Sequence, residues 1–187
     1  MLLISCKEDK NEVLIENQKA IQKKTQVFNA INSAWNFSTQ PINPAAQGAL
    51  SMWAEWRVLM SELGQKPKST IGAFQQKSKT LSKKASELVN NIPSAYSKPE
   101  IKSRISVLVT KINALDLFIH LHEIPTDKIA LLIAEINTQI ISIESQMGEI
   151  VRKNIIPKEE GESDMIKMLD TSRAIPSNAN YKNRVIN

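Results

Sequence analysis

One cysteine, two histidines and five glycines stand among 187 residues. A single thiol leaves neither an intramolecular disulfide nor a multi-cysteine metal centre. The scattered glycines form no Gly-rich phosphate loop, and no serine occupies a nucleophile elbow. No apolar run approaches the roughly 18 to 20 residues that span a bilayer. Aromatic residues make up only 5% of the chain, and with so few glycines they argue against a sheet protein full of tight turns. Apolar residues at 42% and charged residues at 23% are ordinary globular usage, and the length suits one core with tails.

Charge is mildly basic and unevenly placed. Lysine and arginine number 24 against 19 acids, a net charge of +5. Six lysines and no acid lie between Gln65 and Lys84, whereas the stretch KEEGESDMIKMLD near the C-terminus holds five acids against two lysines. Such asymmetry either steers a partner or makes two solvated faces.

The helical period dominates what is present. From Val13 to Trp35, apolar residues fall in adjacent columns seven apart: Val13, Ala20, Val27, Ala34 and Leu14, Ile21, Phe28, Trp35. The third column is broken, because Asn17 and Lys24 precede Ile31, which predicts a first helix buried in its far half and wetter in its near half. Asn43 and Pro44 read as cap and first-turn residue of a second helix running to Leu63, with Gly64 as its left-handed end. A third helix, from about Thr70 to Asn90, carries Ile71, Phe74, Ser78, Leu81, Ala85 and Leu88 on one stripe, with Lys77, Lys79, Lys83 and Lys84 off it. Ser97 and Glu100 are spaced as a capping box for a fourth helix, which ends at HLHEIPT, where Pro125 breaks the run. A fifth extends from Thr126 to about Lys153. Asp164 to about Ala174 is a further short amphipathic segment, followed by a polar tail.

Few residues suggest chemistry. His120 and His122, two apart, would sit on opposite sides of a helix and share a site only if the helix has ended before Pro125. A C-terminal cap with dipole-favoured imidazoles is the simpler reading, and no metal site is assigned. In WAEWR, Trp53, Trp56 and Arg57 fit either core packing or a protein contact, where Trp and Arg are enriched. Lys77, Lys83 and Lys84 are further candidates for partner contact, able to meet phosphate groups of lipopolysaccharide or a nucleic acid, with a solvated face as the simpler reading. Apart from Phe74 on the apolar stripe, the aromatics that single-strand readers interleave with their basic residues are missing here, so no nucleic acid is expected. No carboxylate pair has di-iron spacing, and no cofactor is implied.

Leu3, Ile4, Ser5 and Cys6 resemble a bacterial lipobox, in which a cysteine receives a diacylglycerol and becomes the first mature residue. Lys7, Glu8 and Asp9 directly follow. That arrangement resembles the surface-export signal of Bacteroidota outer-membrane lipoproteins. The resemblance covers about nine residues and says nothing of the body. It implies that residues 1–5 are the end of a signal peptide whose apolar stretch begins upstream of Met1. It also implies lipidation at Cys6, a tether over 6–12, and a location in the outer membrane facing the cell surface, with the periplasm as the alternative.

The expectation is therefore an all-α, up-and-down bundle of four or five helices over residues 13–156, with an acidic linker, short helix and flexible tail over 157–187. Its role is non-enzymatic: a lipid-anchored binding or accessory module for a protein partner. Two other readings stand beside it. One is a ligand- or metal-binding bundle with a pocket near Trp53, Trp56 and His120. The other, if Met1 is the true start, is a cytosolic protein using the third-helix lysines on nucleic acid.

Overall fold

The computed structural model describes residues 10–155. Cys6, Lys7, Glu8 and Asp9, the segment 164–174 and the tail lie outside the described residues. The chain divides into two units, Met1–Val151 and Arg152–Asn187.

The described residues form six α-helices and no strand, packed against one another as a bundle. Their frame is set by α6, Thr126–Ile155. Its columns Ile129, Ile136, Ile143, Ile150 and Ile133, Ile140, Met147 are all buried, each side chain contributing about 1.5–3 kcal/mol by leaving water. Next to it α5, Pro99–Ile119, buries Ile101, Ile105, Leu108, Ile112, Leu115 and Ile119. The two run antiparallel, since Arg104 Nε donates to Ser142 Oγ at 3.0 Å while Lys111 meets Glu135 at 2.8 Å.

On its other side α5 faces α4, Ile71–Asn90. Again the direction reverses: Ser78 pairs with Asp116 and Ser82 with Asn113, each at 2.7 Å. The buried stripe of α4 is Phe74, Ser78, Leu81, Ala85 and Leu88, as the spacing predicts. Thr70 caps it by accepting from the Ala73 N–H at 3.1 Å.

Parallel to α6 runs α1, Lys10–Ala34, with Lys23 meeting Glu123 just before α6 and Asn36 meeting Asn137 within it. It begins at Lys10, so residues 10–12 of the predicted tether are helical. Ile31 and Trp35 enter the core, and the rings of Phe28 and Trp35 lie 5.8 and 4.9 Å from Phe74.

Three local expectations are corrected. The predicted second helix is two: α2, Pro44–Met52, and α3, Ala54–Gly64, with Trp53 extended between them at φ −85°, ψ 103°. The extended residue resets the helical phase, so Trp53, Trp56, Leu59 and Leu63 all become buried while Arg57 turns outward. Gly64 is the last helical residue of α3 and has no positive φ; Gln65 ends the helix in an extended conformation. The capping box at Ser97 does not form. A 3₁₀ turn over Ser94–Tyr96 consumes Ser97, and Pro99 as first helical residue makes Lys98 the cap.

Candidate functional site

The two halves of α1 live in different surroundings. Every residue from 13 to 26 is exposed, and among them Leu14 is 58% and Ile21 64% accessible. Seven and fourteen residues after Ile21, the same column gives half-buried Phe28 and buried Trp35. The apolar pattern therefore continues past the point where other helices cover it. Val13 lies about 15 Å along the axis from Lys23, and Lys23 is level with the turn that joins α5 to α6.

At that level a cleft of about 770 Å³ opens between α1, the first turns of α4 and the α5–α6 turn. Its apolar wall comes from Val27, Ile71, Leu121 and Ile124, and its polar groups include Lys23, Lys24, His120 and His122. The helix of α5 ends at Ile119, so both histidines stand on the turn rather than on opposite helix faces. His120 closes the helix: its backbone N–H reaches Leu117 O, and its Nδ1 lies 2.7 Å from Asp116 O. Gln75 Nε2 donates to Ile119 O at 3.0 Å, supplying one of the carbonyls at the helix end with a donor from α4. The acid on the wall, Glu123, is 3.4 Å from Lys23. Lys24 has no acidic partner among the described residues. A second cleft of about 540 Å³, lined by Thr25, Phe28, Thr70 and Gly72, shares Lys24, Ile71 and Gln75 with the first.

A different polar cluster fastens the connection between α1 and α2 to α6. Asn137 Oδ1 accepts the Ser38 N–H at 2.8 Å, and its Nδ2 donates to Asn36 O at 2.9 Å. One heptad on, Glu144 Oε2 accepts the Ile42 N–H at 2.9 Å. Glu144 is only 2% exposed. Burial pushes its carboxyl above its ordinary value, against the lowering effect of the backbone N–H groups of Ile42 and Asn43. One turn further, Gly148 leaves room for the Asn43 side chain, which caps α2 by accepting from the Ala45 N–H at 3.0 Å. Beside this strap lies a hollow of about 250 Å³ lined in part by Leu50, Trp56, Arg57, Met60 and Glu144. Glu144 already serves backbone donors there, so its role is to position the strap.

The residues proposed for partner contact are not brought together. Trp53 and Trp56 are core residues, 2% and 3% exposed, and stack at 5.7 Å between centroids. They leave almost no surface to offer, and neither lines the cleft at His120. The indole N–H groups of Trp35 and Trp53 are buried without an acceptor. Arg57 is exposed. Lys77 is held by Glu62 and Gln65 in a half-buried pair, so a partner would have to break that pair to use it. Lys84 is 3.0 Å from Glu87, and Lys83 is exposed.

Ser78, Asp116 and His120 form a chain of contacts that is not a nucleophilic triad. The Ser78 hydroxyl is fully buried, with its one hydrogen in reach of Gln75 O and Asp116 Oδ1. The carboxylate, rather than the imidazole, is next to the serine, the reverse of the order in which a triad passes the hydroxyl proton to histidine. Among the described residues no three His, Cys, Asp or Glu side chains gather to hold a metal ion. No family model, curated protein or solved structure matches the chain.

Sequence reasoning singled out the histidines but missed Lys23, Gln75 and the strap residues Asn137, Glu144 and Gly148. Their signal was present: Asn137 and Glu144 are seven apart, beside two isoleucine columns, with Gly148 one turn further.

Proposed function

We propose that the chain is a lipid-anchored, non-enzymatic binding or accessory module of the bacterial outer membrane, held through Cys6 and facing the cell surface. The observation that carries this reading is the exposed first half of α1. The helix starts at Lys10, four residues after Cys6, and its residues 13–26 are exposed before the helix enters the core. An anchor at Cys6 would thus be joined to the bundle through about four turns of solvated helix, with the end cleft on the anchor side. Two or three acyl chains on one cysteine make release very slow, where a single chain holds only marginally. Among the described residues no helix is long and apolar enough to cross a membrane. Leu14 and Ile21 continue a seam already used for helix packing, which suits a helical segment of a protein partner.

The reading is tested in the native host, with the gene at its own locus, by feeding cells an alkyne-bearing palmitate. Label on the wild-type protein and none on Cys6→Ala supports it; equal labelling of both, or none on either, contradicts it. Orientation is tested separately by treating intact cells with protease. An outward-facing bundle is degraded while periplasmic markers survive.

The ligand-binding reading also has an observation in its favour, the end cleft at His120.

A further inference from the structure

We propose that the end cleft between α1, the start of α4 and the α5–α6 turn binds an amphiphilic anion, a molecule with one acidic head and one acyl or alkyl body.

Volume and wall chemistry lead to this class. At about 770 Å³ the cleft lies within the range of small-molecule sites. Ala20, Val27, Ile71, Leu121, Ile124 and Pro125 give it a continuous supply of apolar surface, which rewards an apolar body at about 25 cal/mol per Å² removed from water. The charged groups on the wall are Lys23, Lys24 and Glu123, together with the imidazoles of His120 and His122. Glu123 is matched by Lys23 at 3.4 Å, and Asp116 lies behind His120 with Oδ1 3.3 Å from Nδ1. That accounting leaves the Lys24 ammonium facing no acid among the described residues. A cationic ligand would meet this ammonium with like charge, whereas an anionic head gains an attraction that a neutral ligand lacks.

Lys24 also marks where the head belongs. It lines both the larger cleft and the adjoining one of about 540 Å³, so a head held there can lay its chain along Val27 and Ile124 or along Phe28. The first turn of α4, capped by Thr70, contributes to the same two walls through Ile71, and its helix dipole adds positive potential. Head and body thus each have a complementary surface within one opening.

The site is independent of the anchor, and its test uses the full chain carrying Cys6→Ser, so failure of either proposal is read separately. Isothermal titration is run with dodecanoate, dodecyl phosphate, dodecanol and dodecyltrimethylammonium, all below micellar concentration. The two anions are expected to bind one per chain, at least tenfold more tightly than the alcohol or the cation. Lys24→Glu is expected to weaken them at least tenfold, whereas Lys83→Glu, the same charge change on the outer face of α4, leaves affinity within twofold. Circular dichroism confirms that both variants keep their helices. To separate sources, the protein is also mixed with vesicles of phosphatidylglycerol or phosphatidylcholine. Binding of the free amphiphiles assigns the site to soluble acids; binding confined to phosphatidylglycerol and lost in Lys24→Glu assigns the head to a membrane lipid. No binding of any of these probes, affinity indifferent to the head group, or equal weakening by both lysine variants overturns the proposal.

Discussion

Glu144 Oε2 accepts the backbone N–H of Ile42 at 2.9 Å from a position 2% exposed to water. One buried carboxylate thereby fixes where the chain leaving α1 crosses α6 and where α2 begins. Burial raises its pKa above the ordinary 4.5 despite these amide donors. Between that ordinary value and the raised one the native state holds a proton that the unfolded chain has released, so the stability linked to this group is fully present below pH 4.5 and declines as pH rises through the raised value. Glu144→Gln, which keeps an acceptor for Ile42 without the charge, should gain on the wild type as pH rises from 4 to 8. Glu144→Ala removes the acceptor of the part-buried Ile42 N–H and should cost about 0.5–1.5 kcal/mol, most at low pH. Urea unfolding of the three proteins at several pH values measures both, and a pH-independent difference between Gln and Glu would contradict the assignment.

Two glycines in helices should respond oppositely to alanine. At Gly148 a Cβ would collide with the Asn43 side-chain amide. Displacing that side chain loses the cap on α2, typically about 1 kcal/mol, and overpacking adds about 1–3 kcal/mol. Gly148→Ala is therefore destabilising although alanine is the better helix former. At Gly48, in α2, a Cβ would meet nothing within 4 Å, and Gly48→Ala should stabilise by about 0.5–1 kcal/mol. Thermal melts of the pair decide it.

The change of surroundings along α1 should appear as a step in mutational cost. Leu14→Lys and Ile21→Lys, at exposed positions, are expected to change stability by no more than about 0.5 kcal/mol. Ile31→Ala, fully buried, should cost about 2–5 kcal/mol. Denaturant titration that found Leu14→Lys as costly as Ile31→Ala would place the first half of α1 inside a core.

Lysines of α4 should likewise separate. Lys77→Ala strands the partly buried Glu62 and should cost more than Lys83→Ala, an exposed position expected to lie within about 0.5 kcal/mol of the wild type.

What was legible in the sequence was repetition. The isoleucine columns of α6, the stripe of α4 and the graded burial of α1 follow from spacings sustained over several turns, where one misfit residue cannot change the face. The break at Trp53 was not legible, because no proline or glycine stands between Met52 and Ala54. It is a packing outcome in which both indoles reach the core. The cap of α5 was misplaced by one residue because two starts compete, and the proline position prevailed over the Ser97–Glu100 pairing. The end cleft could not be read from spacing at all. Lys24, Gln75 and His122 are far apart in the chain and meet only because α1, α4 and the α5–α6 turn share a level.

The central claim, that fatty chains on one sulfur hold this bundle at a membrane, is tested most directly by intact mass spectrometry of the protein purified from its native host. The account predicts a chain beginning at Cys6 with two or three acyl groups attached. A free thiol at that position, with Met1 to Ser5 still in place, would contradict it.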